Sequence, residues 1–231
     1  MARYSDQAFS LNTLGMTKKD LGELKEAREL FERALSLARQ EFALPRPDPE
    51  FSRINEAIIA DNLAQTLVAL GEVKLAVDHC TKAFALAKYL LGSDHAEMGN
   101  FYNTVGKVSM ACGDLGSAEL MFAKRIELAR RDGPPEYLAE ALFNLGSVRL
   151  QQHRYPEARV LLAETLRLES AIPELQRGLH NALSHLGLAY LGEGNLPEGR
   201  RHLEKALASV ERHAPGDAAA AGIREALKRL P

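Results

Sequence analysis

The chain has 231 residues, 46% of them apolar, with 29 basic and 31 acidic side chains mixed along its length and a formal net charge of −2. That supplies apolar surface for a substantial core and leaves no basic footprint for nucleic acid or for an anionic membrane surface. Two cysteines, Cys80 and Cys112, are too few to staple a chain of this size and favour a reducing compartment; with no run of about 18 apolar residues and no basic-then-apolar leader, the expected location is the cytoplasm.

From the N-terminus onward the residues predict helices in pairs. The first unit, 8–42, carries Leu24, Ala27, Phe31, Ala34 and Leu35 at spacings of three and four, one apolar stripe that must be covered. Ala43-Leu44-Pro45-Arg46-Pro47-Asp48-Pro49 follows, and its three prolines forbid helix there. The second unit is expected over 48–92. Asp94 with Glu97 reads as a capping box opening the first helix of the third unit, 94–132. Asp132-Gly133-Pro134-Pro135 reads as a helix stop and restart, opening a fourth unit over 135–170, with a fifth over 173–212. After the break at His213-Ala214-Pro215-Gly216, residues 217–230 place Ala219, Ile223, Ala226, Leu227 and Leu230 opposite Arg224, Glu225, Lys228 and Arg229. Such a helix caps a stack by turning a polar back to solvent.

The units share one register. Leu14-Gly15, Leu63-Ala64, Val105-Gly106, Leu145-Gly146 and Leu186-Gly187 recur at separations of 49, 42, 40 and 41 residues. Seven residues after each pair stands Gly22, Gly71, Gly113, His153 or Gly194, and five further on Ala27, Ala76, Ala118, Ala158 or Gly199. Then come Phe31, Cys80, Phe122, Leu162 or Leu203, and Leu35, Phe84, Ile126, Leu166 or Leu207. The small residue allows close helix approach, the glycine permits a turn with positive φ, and the alanine marks the tightest helix contact. One helix pair cannot shield its own stripe, which is why such units come in arrays.

These positions carry the signature of the tetratricopeptide repeat, and the resemblance covers roughly residues 8–210. His153, Gly199, Arg125 and Thr165 depart from the small or apolar preference and leave the tightness of repeats three to five open. Units of 40 to 42 residues resemble the kinesin light chain and spindle-orientation adaptor subgroups. Leu91-Gly92-Ser93-Asp94-His95 is similar to an inter-repeat turn of kinesin light chains, with Ala96 where those carry proline. The resemblance implies an all-α fold: a right-handed superhelical α-solenoid of five helix pairs plus a C-terminal capping helix, in a single domain. It also implies that the first helix of each pair lines a concave groove.

The two residues preceding each small-residue pair are Asn12-Thr13, Asp61-Asn62, Asn103-Thr104, Phe143-Asn144 and Ser184-His185. An amide offers both a donor and an acceptor, so it can grip the backbone of an extended peptide or bond the neighbouring helix. By resemblance to the adaptor subgroups, Asn12, Asn62, Asn103 and Asn144 are the expected peptide contacts. One turn on, Val68, Met110, Leu150 and Leu191 form an apolar series, either beside that groove or buried against the adjacent unit. Met16, Gln65, Lys107, Ser147 and Leu188 stand three residues earlier, and Lys107 is the one lysine among them. The two-basic, two-asparagine set with which chaperone-binding repeats hold a C-terminal carboxylate is not matched.

No constellation points to catalysis, a metal or a cofactor. His79 and Cys80 are adjacent and point apart on a helix, short of the three or four converging ligands zinc needs. Glu198 and His202 share a helical face without a third group to orient the imidazole, and Gly192-Glu193-Gly194-Asn195 joins helices with no strand before it. The expected function is a scaffold or adaptor binding a peptide or protein segment in the groove. The alternatives are a peptide-responsive regulatory sensor and a structural subunit that uses its convex face or N-terminal end to assemble a larger complex; the N-terminal end is also a candidate for self-association.

Overall fold

A computed structural model of the chain describes residues 4–42, 49–213 and 216–230; the proline-rich stretch 43–48 and the Ala214-Pro215 break lie outside them. Among the described residues there are eleven α-helices, one 3-10 helix and no strand. They form two compact units, residues 1–121 and 122–231. The first contains α1 (Tyr4–Asp20), α2 (Leu24–Phe42), α3 (Pro49–Ala69), α4 (Val73–Leu91), α5 (Met98–Ala111) and the start of α6 (Leu115–Asp132). The second contains the rest of α6, α7 (Pro135–Gln151), α8 (Tyr155–Ala171), the 3-10 helix Pro173–Gly178, α9 (Leu179–Gly192), α10 (Leu196–His213) and α11 (Ala219–Lys228).

The turn inside each helix pair is built the same way five times. Gly22, Gly71, Gly113 and Gly194 have φ of 79°, 78°, 78° and 81°, and His153 takes the same left-handed place at 58°. In the first turn the Gly22 amide donates to the Lys19 carbonyl and the Glu23 amide to Lys18, at 3.0 and 2.9 Å. At the fourth, His153 donates to Leu150 and Arg154 to Arg149, at 3.0 and 2.8 Å. These bonds satisfy carbonyls that a helix end otherwise leaves open. A side chain in the left-handed region costs about 1 kcal/mol or more, part of which the 2.7 Å hydrogen bond between His153 Nδ1 and the Tyr155 hydroxyl offsets. His153→Gly is therefore expected to stabilise the protein by about 0.5–1 kcal/mol. An unchanged or lower urea midpoint would show that the Tyr155 contact outweighs the relief.

The small residue of each pair is small because the next helix leaves no room. A Cβ on Gly15 would lie 2.7 Å from the Phe31 ring, on Gly146 2.8 Å from Leu162, and on Gly187 2.9 Å from Leu203. Phe31, Leu162 and Leu203 are themselves wholly buried. In the second pair both partners change together: Ala64 replaces the glycine, and Cys80 stands where the others have Phe or Leu.

The four departures from the pattern leave the packing closed. Arg125 is 3% exposed, with its guanidinium 4.4 Å above the Tyr137 ring. Thr165 is buried and its hydroxyl donates to the Leu161 carbonyl at 3.0 Å. Gly199 takes the alanine place because Leu191 Cδ2 would lie 2.3 Å from any Cβ there. His153 does what glycine does elsewhere.

Two boundary expectations separate. The Asp132-to-Pro135 stop and restart is present, with Pro134 at the N-cap and Pro135 opening α7, where a missing N–H costs nothing. The Asp94–Glu97 capping box is not formed. The helix opens three residues later, at Met98, so Glu97 is itself the N-cap and makes no side-chain cap bond. His95 Nδ1 instead accepts from the Glu97 amide at 3.2 Å.

Successive helices pack in order within each unit, and first helices also touch one another: α1 meets α3, α3 meets α5, and α7 meets α9. At the C-terminus α11 lies on α10, with Ile223 buried among Leu183, Leu203, Ala206 and Val210. Its apolar face is the one the sequence periodicity selects.

Candidate protein-interaction face

Side-by-side first helices bring the residues before each small-residue pair into register. The first residue of one dipeptide meets the second residue of the next. Asn62 Nδ2 donates to Asn12 Oδ1 at 3.0 Å, tying α3 to α1. Thr104 Oγ1 donates to Asp61 Oδ2 at 2.8 Å, tying α5 to α3. In the second unit the Phe143 and His185 rings meet edge to face, 4.8 Å apart, between α7 and α9. The dipeptide is thus a ladder rung as well as a candidate ligand contact.

The four asparagines lie deep: Asn12, Asn62, Asn103 and Asn144 are 8%, 9%, 5% and 8% exposed. Asn12 and Asn62 direct amide groups at each other, and Asn12 Nδ2 also lies 3.8 Å from Met16 Sδ. Lys107 and Met110 on α5 are half-buried. Leu150 is half-buried too, packed on a core of Ala158, Leu162, Leu186 and Ala189. Leu191 packs against the Leu203 and Val210 core. Both leucines therefore direct apolar surface into the core of their unit. On the outside stand Met16 and Leu188, 43% and 41% exposed, while Ser147 is buried with its hydroxyl on the Phe143 carbonyl at 2.9 Å.

The residue that sequence reasoning passed over is Asp61, read only as the neighbour of Asn62. It is 4% exposed. Its Oδ2 accepts from Thr104 and, at 2.9 Å, from Gln65 Nε2, which also lies 3.0 Å from Thr104 Oγ1. Lys19 Nζ on α1 donates to Gln65 Oε1 at 3.1 Å, so four side chains from three first helices form one network. Burial pushes the Asp61 acid up to about 7, against the lowering pull of the Thr104 and Gln65 hydrogen bonds and the Lys19 and Lys107 charges. One signal was available beforehand: an acid between Ile58-Ile59-Ala60 and Leu63-Ala64, in a window that is otherwise apolar but for Asn62.

Elsewhere the reactive groups are quiet. Burial pushes the Cys80 thiol up to about 12, helped by the nearby Asp61, so no thiolate forms there near neutrality. Cys112 is exposed at the end of α5. Burial, with the Arg39 and Lys82 charges, lowers the His79 imidazole below its ordinary value. His202 is buried in a stack on Tyr190, ring centroids 5.1 Å apart, with Nδ1 2.9 Å from the Glu198 carbonyl oxygen. Among the described residues no three His, Cys, Asp or Glu side chains converge as metal ligands, and no helix is long and apolar enough to cross a membrane.

A tetratricopeptide repeat family model matches residues 10–48, 57–97 and 181–215. Against curated protein sequences no significant match is found. Among solved structures, BtubC (BKLC) from P. vanneervenii superposes with a TM-score of 0.70 at 17% identity, over 98% of this chain and 83% of that one. A kinesin-light-chain-like protein of nearly identical TPR-like repeats from Podosopora anserina gives 0.68 at 19%, over 92% and 98%. YrrB, described as a TPR protein with an unusual peptide-binding site, gives 0.52 at 19%, over 94% and 92%. At these identities the likeness is one of fold.

Proposed function

Because the chain belongs to the tetratricopeptide repeat family, we propose that it is a protein-interaction scaffold that holds an extended polypeptide segment along its first helices, and not an enzyme. The observation that carries this reading is the α1–α3–α5 arrangement of the first unit. Three helices side by side bring together buried amides and a half-buried lysine and methionine, and so combine backbone-pairing groups with an apolar anchor point. The peptide-binding site of YrrB, a protein of the same fold, supports it. Asn103, Lys107 and Met110 on α5 and Asn12 and Asn62 on α1 and α3 are the proposed contacts in the first unit, Asn144 and Leu150 in the second. Two unpaired thiols, one buried and one exposed, fit a cytoplasmic setting.

Selection of a displayed random-peptide library on the full chain tests the reading without a known partner. Enriched peptides are expected to bind Asn103→Ala/Lys107→Ala at least about tenfold more weakly, a loss of about 1.4 kcal/mol, with helical circular dichroism unchanged. Failure to enrich any sequence, or equal binding to the variant, rejects the assignment.

Self-association through the N-terminal helix has its own support. Phe9 and Leu14 on α1 and Leu21 just past its end are 63%, 46% and 66% exposed. Sedimentation showing a monomer at high concentration would reject it.

A further inference from the structure

Asp61 sits where a carboxylate is costly. Ile59, Ala60, Leu63 and Ala64 around it on α3 are buried, and an ionised carboxylate taken out of water is tolerated only where its oxygens and its charge are both matched. One oxygen is matched, since Oδ2 accepts from Thr104 and Gln65. The other is not: Oδ1 is buried and, among the described residues, has no hydrogen-bond partner.

The charges around it are few. From α1 and α5, Lys19 and Lys107 act on it, and Lys19 already donates to Gln65. From α4 the facing group is the Cys80 thiol, neutral near physiological pH. No charged side chain of α2 acts on it among the described residues; Arg39 there is paired with Glu56 of α3 at 2.8 Å. No cation bonds the carboxylate directly among the described residues, so ionising it leaves a buried charge and an empty acceptor together.

We propose that Asp61 is a proton-operated catch between α3 and α5, which holds the first-helix face of this unit shut when neutral and loosens it when ionised. In the neutral acid the proton sits on Oδ1, at the cost of one unpaired hydroxyl, while Oδ2 keeps its bonds from Thr104 and Gln65 and no charge is buried. In the carboxylate, Oδ1 needs a donor, and because that oxygen is buried water reaches it only if the packing of α3 against α5 loosens. Burial sets the changeover near neutrality, at about 7. The adjacent Asn12–Asn62 rung carries two of the groups assigned above to partner binding, so opening would free them for an extended segment. That last link rests on the binding reading, whereas the catch does not.

The test uses the full chain and the proton alone. Carbon-detected titration of labelled aspartate carboxyls, assigned by comparison with Asp61→Asn, is expected to show Asp61 titrating near 7. Amide exchange in α3 and α5, corrected for its intrinsic pH dependence, is expected to be about tenfold faster at pH ~8 than at pH ~6, and flat in Asp61→Asn. Lys107→Met is expected to move the midpoint upward, because a counter-charge is lost. A midpoint below pH ~5, ordinary carboxylate territory, or an exchange change that persists in Asp61→Asn, overturns the catch. Glu169 on α8, also pushed up to about 7 by burial, is the internal control. Its helix should respond to pH identically in both proteins. Since no peptide is involved, failure here leaves the peptide-selection result untouched, and the converse also holds.

Discussion

Gly15→Ala is expected to destabilise the protein by about 1–3 kcal/mol although alanine is the better helix former. The new methyl would sit 2.7, 2.9 and 3.0 Å from three atoms of the Phe31 ring, and that ring is wholly buried, with no solvent side to move toward. Phe31→Cys alone is expected to cost about 3–5 kcal/mol, by analogy with other phenylalanine truncations that leave a cavity. The combination is the informative case. Gly15→Ala/Phe31→Cys recreates in the first helix pair what the second pair already carries as Ala64 and Cys80, both buried. The methyl then enters space that the ring has vacated, and the double variant should be more stable than the sum of the singles by about 1–2 kcal/mol. Urea melts of the four proteins give the coupling directly. Simple additivity would mean that the two registers do not compensate, and that Ala64 with Cys80 is coincidence.

That pairing shows how far the fold could be read from the residues. Helix pairs, their five turns and the closing helix follow from local rules that tertiary context leaves intact: a stripe of Leu24, Ala27, Phe31 and Leu35, a glycine seven places after the small residue, a proline at a helix start. His153 was legible as an exception and not as a solution, because sequence alone does not say which side chain will accept φ of 58° with help from Tyr155. The Asp94–Glu97 box had the right spacing but the wrong frame, since α5 starts only at Met98. The candidate face was legible in part. Periodicity marks which residues precede each small-residue pair, but whether an amide points to a ligand or to the next helix depends on how far apart the helices lie. Asn12 and Asn62, fifty residues apart in sequence, show this at 3.0 Å. Leu150 and Leu191 show it for apolar groups: their spacing admits either face, and both are half-buried, with part of their surface packed on the core of the unit.

Asp61→Asn is expected to remove most of the pH dependence of stability between about pH 4 and 7 that originates in the first unit. The acid's folded value is raised, from an ordinary 3.8 to about 7, chiefly by burial. Across that window the folded chain holds a proton that the unfolded chain has released, so stability falls as pH rises and levels off once the folded acid has also ionised. About three units at 1.36 kcal/mol each set an upper bound of roughly 4 kcal/mol for the penalty at pH ~8. The asparagine has no charge to bury, and its carbonyl can still accept from Thr104 and Gln65. At pH ~8 the variant should therefore be the more stable protein, and at pH ~4 the two should converge. Glu169→Gln belongs in the background of both, because that half-buried acid is also pushed up to about 7 and would otherwise contribute a parallel slope. Urea midpoints that rise from pH ~5 to pH ~8, or an equal slope with and without Asp61, would place the proton on another group. A gap that opens above pH ~4 and is complete once the folded acid has ionised is what burying this charge must produce.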